Sequence, residues 1–546
     1  MENKNTLIAF GLILVLYTAY ILIFPPPSKE QQAVPDPQPA TSTSSVVPEE
    51  KPSPVTEKKQ MVLPPVAKGV PSSVLAGEAV ERKILLENDL FRVVLTSSGG
   101  KIEKFELKNF KSELSPDSPN IFLVNAEDPR LATLSTSGSG DLTFSGDRIY
   151  QFDGEKENYL LSGTQEATLV FRTVENQLLI EKVYRFRGDD YSFQMDVRIT
   201  NQGKGVLNGT VNTVLMQPFD ESMKGNRFTF VGTASLFDNH LKTESIEDLQ
   251  KKAVNYSGKV GWTGFEDKYF FKALVPVGGR ETGVLLHMED GHIVNKINET
   301  QVQSLKPGES VQYGYLAYFG PRDLDILKNV GHRLEAVVDF GYFDIIARPL
   351  LAILKFFYGF VGNYGWAIIL LTVAIKLLFW PLTNKSYGSM KAMQKVQPEM
   401  QKLRQKYKDD KQRLNIEIMQ LYRTHKVNPL GGCLPMVIQI PVFFALYKVL
   451  MEDIALRHAP FMFWIQDLAA KDPYYISPII MGVTMFIQQK LTPSTMDSTQ
   501  AKILLYMPLI FTFMFLNFPS GLVVYWLVNN LLTILQQFLI NRKAAA

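Results

Sequence analysis

The chain has 546 residues, 57 of them Lys or Arg against 54 Asp or Glu, so it is too long for one ordinary domain and too evenly charged for a nucleic-acid binder. Its single cysteine, Cys433, excludes an intramolecular disulfide and a cysteine-based metal cluster, and its six histidines form no H-x-x-x-H pair. No G-x-x-x-x-G-K-[ST] loop occurs, which removes the usual sequence sign of an ATP-driven machine; no cofactor and no metal are expected.

Residues 6–24 form an uncharged run behind a short head carrying Lys4, longer than the apolar core of a cleavable signal and ending in Pro25-Pro26-Pro27. Residues 1–24 therefore predict a retained signal-anchor helix. Residues 25–79 follow as a Pro-rich, extended tether, with 12 of the 31 prolines between positions 25 and 71. From 80 to 335 the pattern changes to short β-type runs broken by Gly, Asn and Asp. Within it, 167–173 and 178–186 read as a hairpin, and the run from Tyr191 to Thr200 alternates as a strand should. Such a length with so many strands predicts a large all-β sandwich. Its carboxylates offer no pair that stands out as a catalytic dyad.

Beyond this domain the chain reads as a membrane protein. Residues 339–358 are apolar except for Asp344, Arg348 and Lys355, whose spacing puts them within about 40° on a helical wheel. One polar stripe on an apolar helix predicts an amphipathic helix at the membrane interface. Membrane spans are expected near 361–382, 431–451, 474–491, 503–518 and 521–540, the last two joined by a tight helical hairpin at Phe518-Pro-Ser-Gly. Between the first two of these, residues 383–429 carry eleven Lys or Arg against four acids, while residues 452–473 carry four acids against two bases. Positively charged loops stay in the cytoplasm, so the basic loop and both termini are expected there and the sandwich outside.

Lys376 sits alone in the uncharged run from Gly365 to Pro381, where a charge costs about 2.5–3.5 kcal/mol by insertion scales and reads as functional by default. No acid lies within another span, so its partner is expected to come from water, lipid or a visiting chain. Thr372 is one turn earlier on the same face, and Tyr525 and Asn529 are one turn apart in the last span; with Gln439 they suggest a wet groove around the cation. The competing reading is interhelical hydrogen-bond glue. In the basic loop, Met393, Val396, Met400, Leu403 and Tyr407 follow a 3-4-3-4 spacing, and Leu414, Ile418 and Leu421 return after Asp409-Asp410. This predicts a helical hairpin kinked at Pro398. Met393, Met400, Lys402, Arg404 and Lys406 are its candidate recruitment residues, a basic and Met-containing surface for a ribosome, a targeting factor or an apolar nascent segment.

The runs GNYGWAIILLT (362–372), FWPLT (379–383), VNPLGGCLPMVIQIP (427–441), DPYYISPIIMGVTMF (472–486) and FPSGLVVYWLVNNL (518–531) closely resemble the YidC/Oxa/Alb membrane protein insertases. The exported sandwich resembles that of the Gram-negative form. The resemblance implies an inner-membrane protein with a five-helix core, residues 361–546, around a hydrophilic groove open to cytoplasm and bilayer. It implies no enzymatic chemistry: nascent membrane proteins are moved into the membrane and helped to fold, alone or beside the Sec translocon. Lipids, the ribosome and targeting factors are the further partners implied. Thr372, Gln439 and Tyr525 fall at groove positions of the family, whose groove cation is commonly arginine where this chain has Lys376. Two other readings stay open on the residues alone, a small-solute transporter and a membrane-tethered carbohydrate-active enzyme.

Overall fold

A computed structural model describes residues 80–219, 229–278, 281–299, 303–425, 427, 434–492 and 498–543. The expected signal-anchor and tether, residues 1–79, lie outside the described residues.

Between Lys83 and Pro321 the chain forms strands that assemble into sheets of five, nine and six, the six including Ser135–Gly140 paired with Leu207–Pro218. Among the described residues the β-rich domain is built from three sheets, in keeping with the rule that open sheets rarely exceed about ten strands before twist splits them. Local chemistry fixes the hairpin Glu166–Glu175/Leu178–Arg187: Asn176 and Gln177 both take positive φ (50° and 64°), as a two-residue turn requires. Along the second strand Leu178, Ile180, Tyr184 and Phe186 are buried by alternation. Lys182 shares that face and is fully buried, its Nζ donating to the carbonyls of Gly99 (3.0 Å) and Leu134 (2.6 Å). A buried amino group is tolerated only with such partners.

Aromatic and hydrogen-bonded contacts join the sheets. Phe105 of the five-stranded sheet meets Phe193 and Phe319 of the nine-stranded sheet at ring-centroid distances of 6.3 and 5.2 Å, pairings each contributing about 0.5–1.5 kcal/mol beyond area burial. Asn295 of the six-stranded sheet donates to Gly264 O (2.8 Å) and Thr263 Oγ1 (3.0 Å) of the nine-stranded one, so a buried amide is satisfied across the gap.

The remainder is helical. Label the helices α1 (Ile246–Lys251, inside the β domain), α2 (Leu324–Val330), α3 (Asp344–Val361), α4 (Tyr364–Lys406), α5 (Lys411–Thr424), α6 (Leu434–Glu452), α7 (Ile476–Leu491), α8 (Ser498–Phe515) and α9 (Ser520–Lys543). Gly362 and Asn363 separate α3 from α4 in two residues: Gly362 caps α3 at φ 62°, and Asn363 accepts from Trp366 N at 3.1 Å to start α4. No side chain fits at Gly365, where a Cβ would stand 1.9 Å from the Phe461 ring.

Two features of the helices refine the reading of the sequence. The first core span and the first arm of the basic hairpin are one helix of 43 residues, continuous through Pro381 and Pro398. At helical rise it is roughly 64 Å long, about twice the thickness of a bilayer core. The polar stripe of α3 is also not simply turned to water. Arg348 bonds Asp344 (2.6 Å), and Lys355 reaches Asp323 (3.1 Å) and Asp325 (2.5 Å) at the start of α2. The outward residues are apolar instead: Ile345, Phe356 and Phe360 are 83%, 61% and 73% exposed. Of the described helices, α4 and the Ser520–Ile540 part of α9 are long and apolar enough to cross a membrane.

Candidate functional site

α4 and α9 lie side by side, and α9 also packs on α6 and α7. The α9 N-terminus is seated by Ser520 N and Gly521 N on the carbonyls of Ala470 and Leu468 (2.7 and 2.9 Å), which places the i, i+4, i+8 series Tyr525, Asn529, Thr533 towards its neighbours. Lys376, on α4, donates to Asn529 Oδ1 at 3.3 Å and to Thr533 Oγ1 at 2.6 Å. The expectation that its partner must come from outside the chain is therefore corrected: two neutral acceptors come from α9. No carboxylate pairs with it among the described residues, so its charge stays uncompensated. A lone charge in low dielectric attracts an opposite one strongly, since the Coulomb energy rises as the dielectric falls.

The other groove candidates divide. Thr372 is 1% exposed and its hydroxyl donates to Ile368 O (2.6 Å), so it lines the helix contact below Lys376. Tyr525 is equally buried, its hydroxyl beside Gln439 of α6 but without a hydrogen bond of good geometry among the described residues. Other polar groups of α9 act as interhelical bonds. Asn530 donates to Thr484 (3.3 Å), Gln536 to Asn384 (3.0 Å), and Gln537 to Tyr387 (2.7 Å) and Thr492 (2.9 Å). Lys376, Asn529, Gln439 and Tyr525 are thus gathered around α9, while the later glutamines fasten α4 and α7 to it.

α5 folds back on the end of α4. Met393 and Val396 are buried with Val427, against Ala392, Leu421 and Tyr422, and Met400 Sδ accepts from the Tyr422 hydroxyl at 3.3 Å. Of the recruitment candidates, Met393 and Met400 are therefore 7% and 4% exposed and fill the hairpin seam, because the heptad spacing that drew attention to them also turns them inward. Lys402 and Lys406 are exposed and Arg404 is partly buried. The apolar residues this hairpin does present are Ile416 and Met419 of α5, 65% and 53% exposed.

Sequence reasoning missed Thr533, although the four-residue spacing from Tyr525 through Asn529 reaches it. It also missed a second polar cluster, where the β domain meets the helices. Arg322 is buried between Glu266 of the strand Val260–Glu266 (2.8 Å) and Glu452 at the end of α6 (3.0 Å), and Lys448 holds the other oxygen of Glu452 at 2.8 Å. Burial raises the Glu266 carboxyl to about 7, against the pull of Arg322, and raises nearby Asp453 to about 6. Arg457, in the loop after α6, reaches back to the carbonyls of Lys111 and Ser112 and lies 5.8 Å from the centre of the Tyr269 ring.

Two family models match the chain: the 60Kd inner membrane protein over residues 356–546 and the YidC periplasmic domain over residues 83–353. The membrane protein insertase YidC of Geobacter metallireducens is 44% identical, covering 100% of this chain and 99% of its own. That of Geotalea daltonii is 40% identical over the full length of both. A crystal structure of an active YidC insertase with its first transmembrane domain resolved is 18% identical, covers 84% of this chain and 92% of its own, and has a TM-score of 0.36. Identity at this level over whole chains decides the matter against a transporter and against a carbohydrate enzyme: the chain belongs to the YidC family of membrane protein insertases, with an inner-membrane part and a β-rich periplasmic domain.

Proposed function

We propose that this chain passes nascent transmembrane segments from the cytoplasm into the inner membrane along the α4–α9 surface, with Lys376 attracting the acidic residues of a client's exported tail. Gln439 and Asn529 line the route, and the buried Thr372 and Tyr525 belong to its wall. Lys402, Arg404 and Lys406, with the exposed Ile416 and Met419, meet ribosome, targeting factor or nascent chain on the cytoplasmic hairpin, residues 383–429. The working topology has six spans, a signal-anchor at 1–24 and five in 361–546, with both termini in the cytoplasm, residues 80–335 in the periplasm and α3 at its membrane interface. Bilayer lipids take the apolar segment as it leaves, and the Sec translocon is a partner for larger clients.

The observation that carries this reading is an ammonium on the apolar α4 held by two neutral oxygens, with no acid paired to it among the described residues. A structural ion pair would have its counter-ion built in; here the counter-ion is left to the client. Transfer of an apolar segment to lipid supplies the driving force, roughly 25 cal/mol per Å² of apolar surface removed from water, so no nucleotide is needed. The test is site-specific crosslinking from position 525 to a ribosome-stalled membrane protein. Adducts that appear only while a transmembrane segment is emerging support the route, and adducts with lipid alone would remove it.

A further inference from the structure

We infer that Thr533 is a positioning residue for the groove cation: it pins the Lys376 ammonium to α9 and leaves one N–H without an acceptor among the described residues. This rests on the reading of Lys376 as the client's counter-charge. The Thr533 hydroxyl donates its one hydrogen to Asn529 O at 2.6 Å, within its own helix. Towards Lys376 Nζ, also at 2.6 Å, the oxygen can therefore only accept. Its orientation is set twice, by that bond and by the restricted χ1 of a β-branched residue in a helix.

An ammonium has three donors. Thr533 Oγ1 and Asn529 Oδ1 take two of them, and the third meets no acceptor among the described residues. Both acceptors are neutral, so the side chain is held without its charge being cancelled; a carboxylate at either position would close an internal ion pair in its place. Thr533 is 6% exposed, so it acts through Lys376 and does not itself meet a client. Without it, a flexible four-carbon stem is free to snorkel along α4 towards the headgroups.

The test compares Thr533→Val, which keeps the shape and loses the acceptor, with Thr533→Ser, which keeps the acceptor. The full chain is reconstituted in vesicles and the rate at which an amine-reactive, membrane-permeant ester labels Lys376 is read by mass spectrometry. Losing an acceptor that stabilises the ammonium should speed labelling by about tenfold in the Val variant, with the Ser variant at the parental rate. Insertion of an acid-tailed client should fall more than that of a neutral-tailed one in the Val variant, and recover in the Ser variant. Thr533→Ala serves as a second acceptor-free variant should Val not fold. Equal labelling in all variants overturns the inference whatever insertion does. Altered labelling, with acid-tailed insertion indifferent to Lys376→Gln, leaves Thr533 as the positioning residue and overturns the role given to Lys376.

Discussion

Arg322 and Glu452, 130 positions apart in the chain, meet at 3.0 Å with both side chains more than nine-tenths buried. Glu266 takes the other arm of the guanidinium, so one arginine joins the edge of the periplasmic domain to the end of α6. Lys448 balances the second acid. The two halves of the molecule are thus fastened by a buried charge network as well as by chain connectivity.

Breaking such a network on one side is expensive because the surviving charges stay buried. Arg322→Met should destabilise the junction by about 3–5 kcal/mol, leaving Glu266 and Glu452 without their shared partner. Adding Glu266→Gln and Glu452→Gln should recover much of the loss. Thermal unfolding of the detergent-solubilised protein, followed by limited proteolysis near position 322, checks both. Equal stability in Arg322→Met and parent would mean that the network contributes nothing.

The same cluster has a pH signature. The folded Glu266 carboxyl is raised by burial from 4.5 to about 7, so across that window the folded protein binds more protons than the unfolded one. The sign follows: the Glu266 contribution to stability is fully present below about 4.5 and is lost as pH rises towards about 7. Compared with Glu266→Gln, the parent should lose stability steadily over that window. A stability difference that is flat in pH, or that grows as pH rises, would contradict it.

Every polar contact assigned to the client route belongs to the helices, so the β domain should be dispensable for simple clients. Deleting 80–321 while keeping residues 1–24, Arg322 and all of α3 should preserve insertion of a short-tailed client, scored by protease protection in vesicles. Arg322 must stay, since it then remains the partner of Glu452. Loss of insertion with an intact helical core would make the domain part of the active machine.

In the hairpin, seam and surface should separate. Met393→Ala, which empties a buried site, should cost the hairpin about 2–5 kcal/mol and raise protease cleavage between α4 and α5. Replacing Lys402 and Lys406 with Ala should leave that cleavage unchanged and reduce crosslinking to a ribosome-bound client. The reverse pattern would place recruitment in the seam.

How much of this was legible in the sequence depended on distance along the chain. The turn near Asn176-Gln177 and the amphipathic pattern of α3 follow from neighbours and are signalled by local pattern; the caps at Gly362 and Asn363 are equally local but were not read. The division into three sheets was not, because it depends on pairings such as Ser192–Asn201 with Ser310–Pro321, which no local period encodes. Heptad spacing marked Met393 and Met400 as paired positions, but spacing does not say whether a methionine seals a seam or greets a partner. Lys376 was conspicuous by its charge; Thr533 was not, since a threonine one turn beyond an asparagine looks ordinary until the lysine is placed against it. Arg322, Glu266 and Glu452 look like loop charges in the sequence and acquire meaning only through burial.

Insertion of a client with an acidic exported tail, measured side by side for Lys376→Arg and Lys376→Glu in reconstituted vesicles, bears most directly on the proposed role of the groove cation. The Arg variant keeps the charge and should insert at close to the parental level. The Glu variant adds repulsion and a buried anion facing the neutral oxygens of Asn529 and Thr533, and should lose at least about tenfold, the equivalent of about 1.4 kcal/mol. Equal insertion by the two variants, with both folded, would show that the charge at position 376 has no part in moving the client.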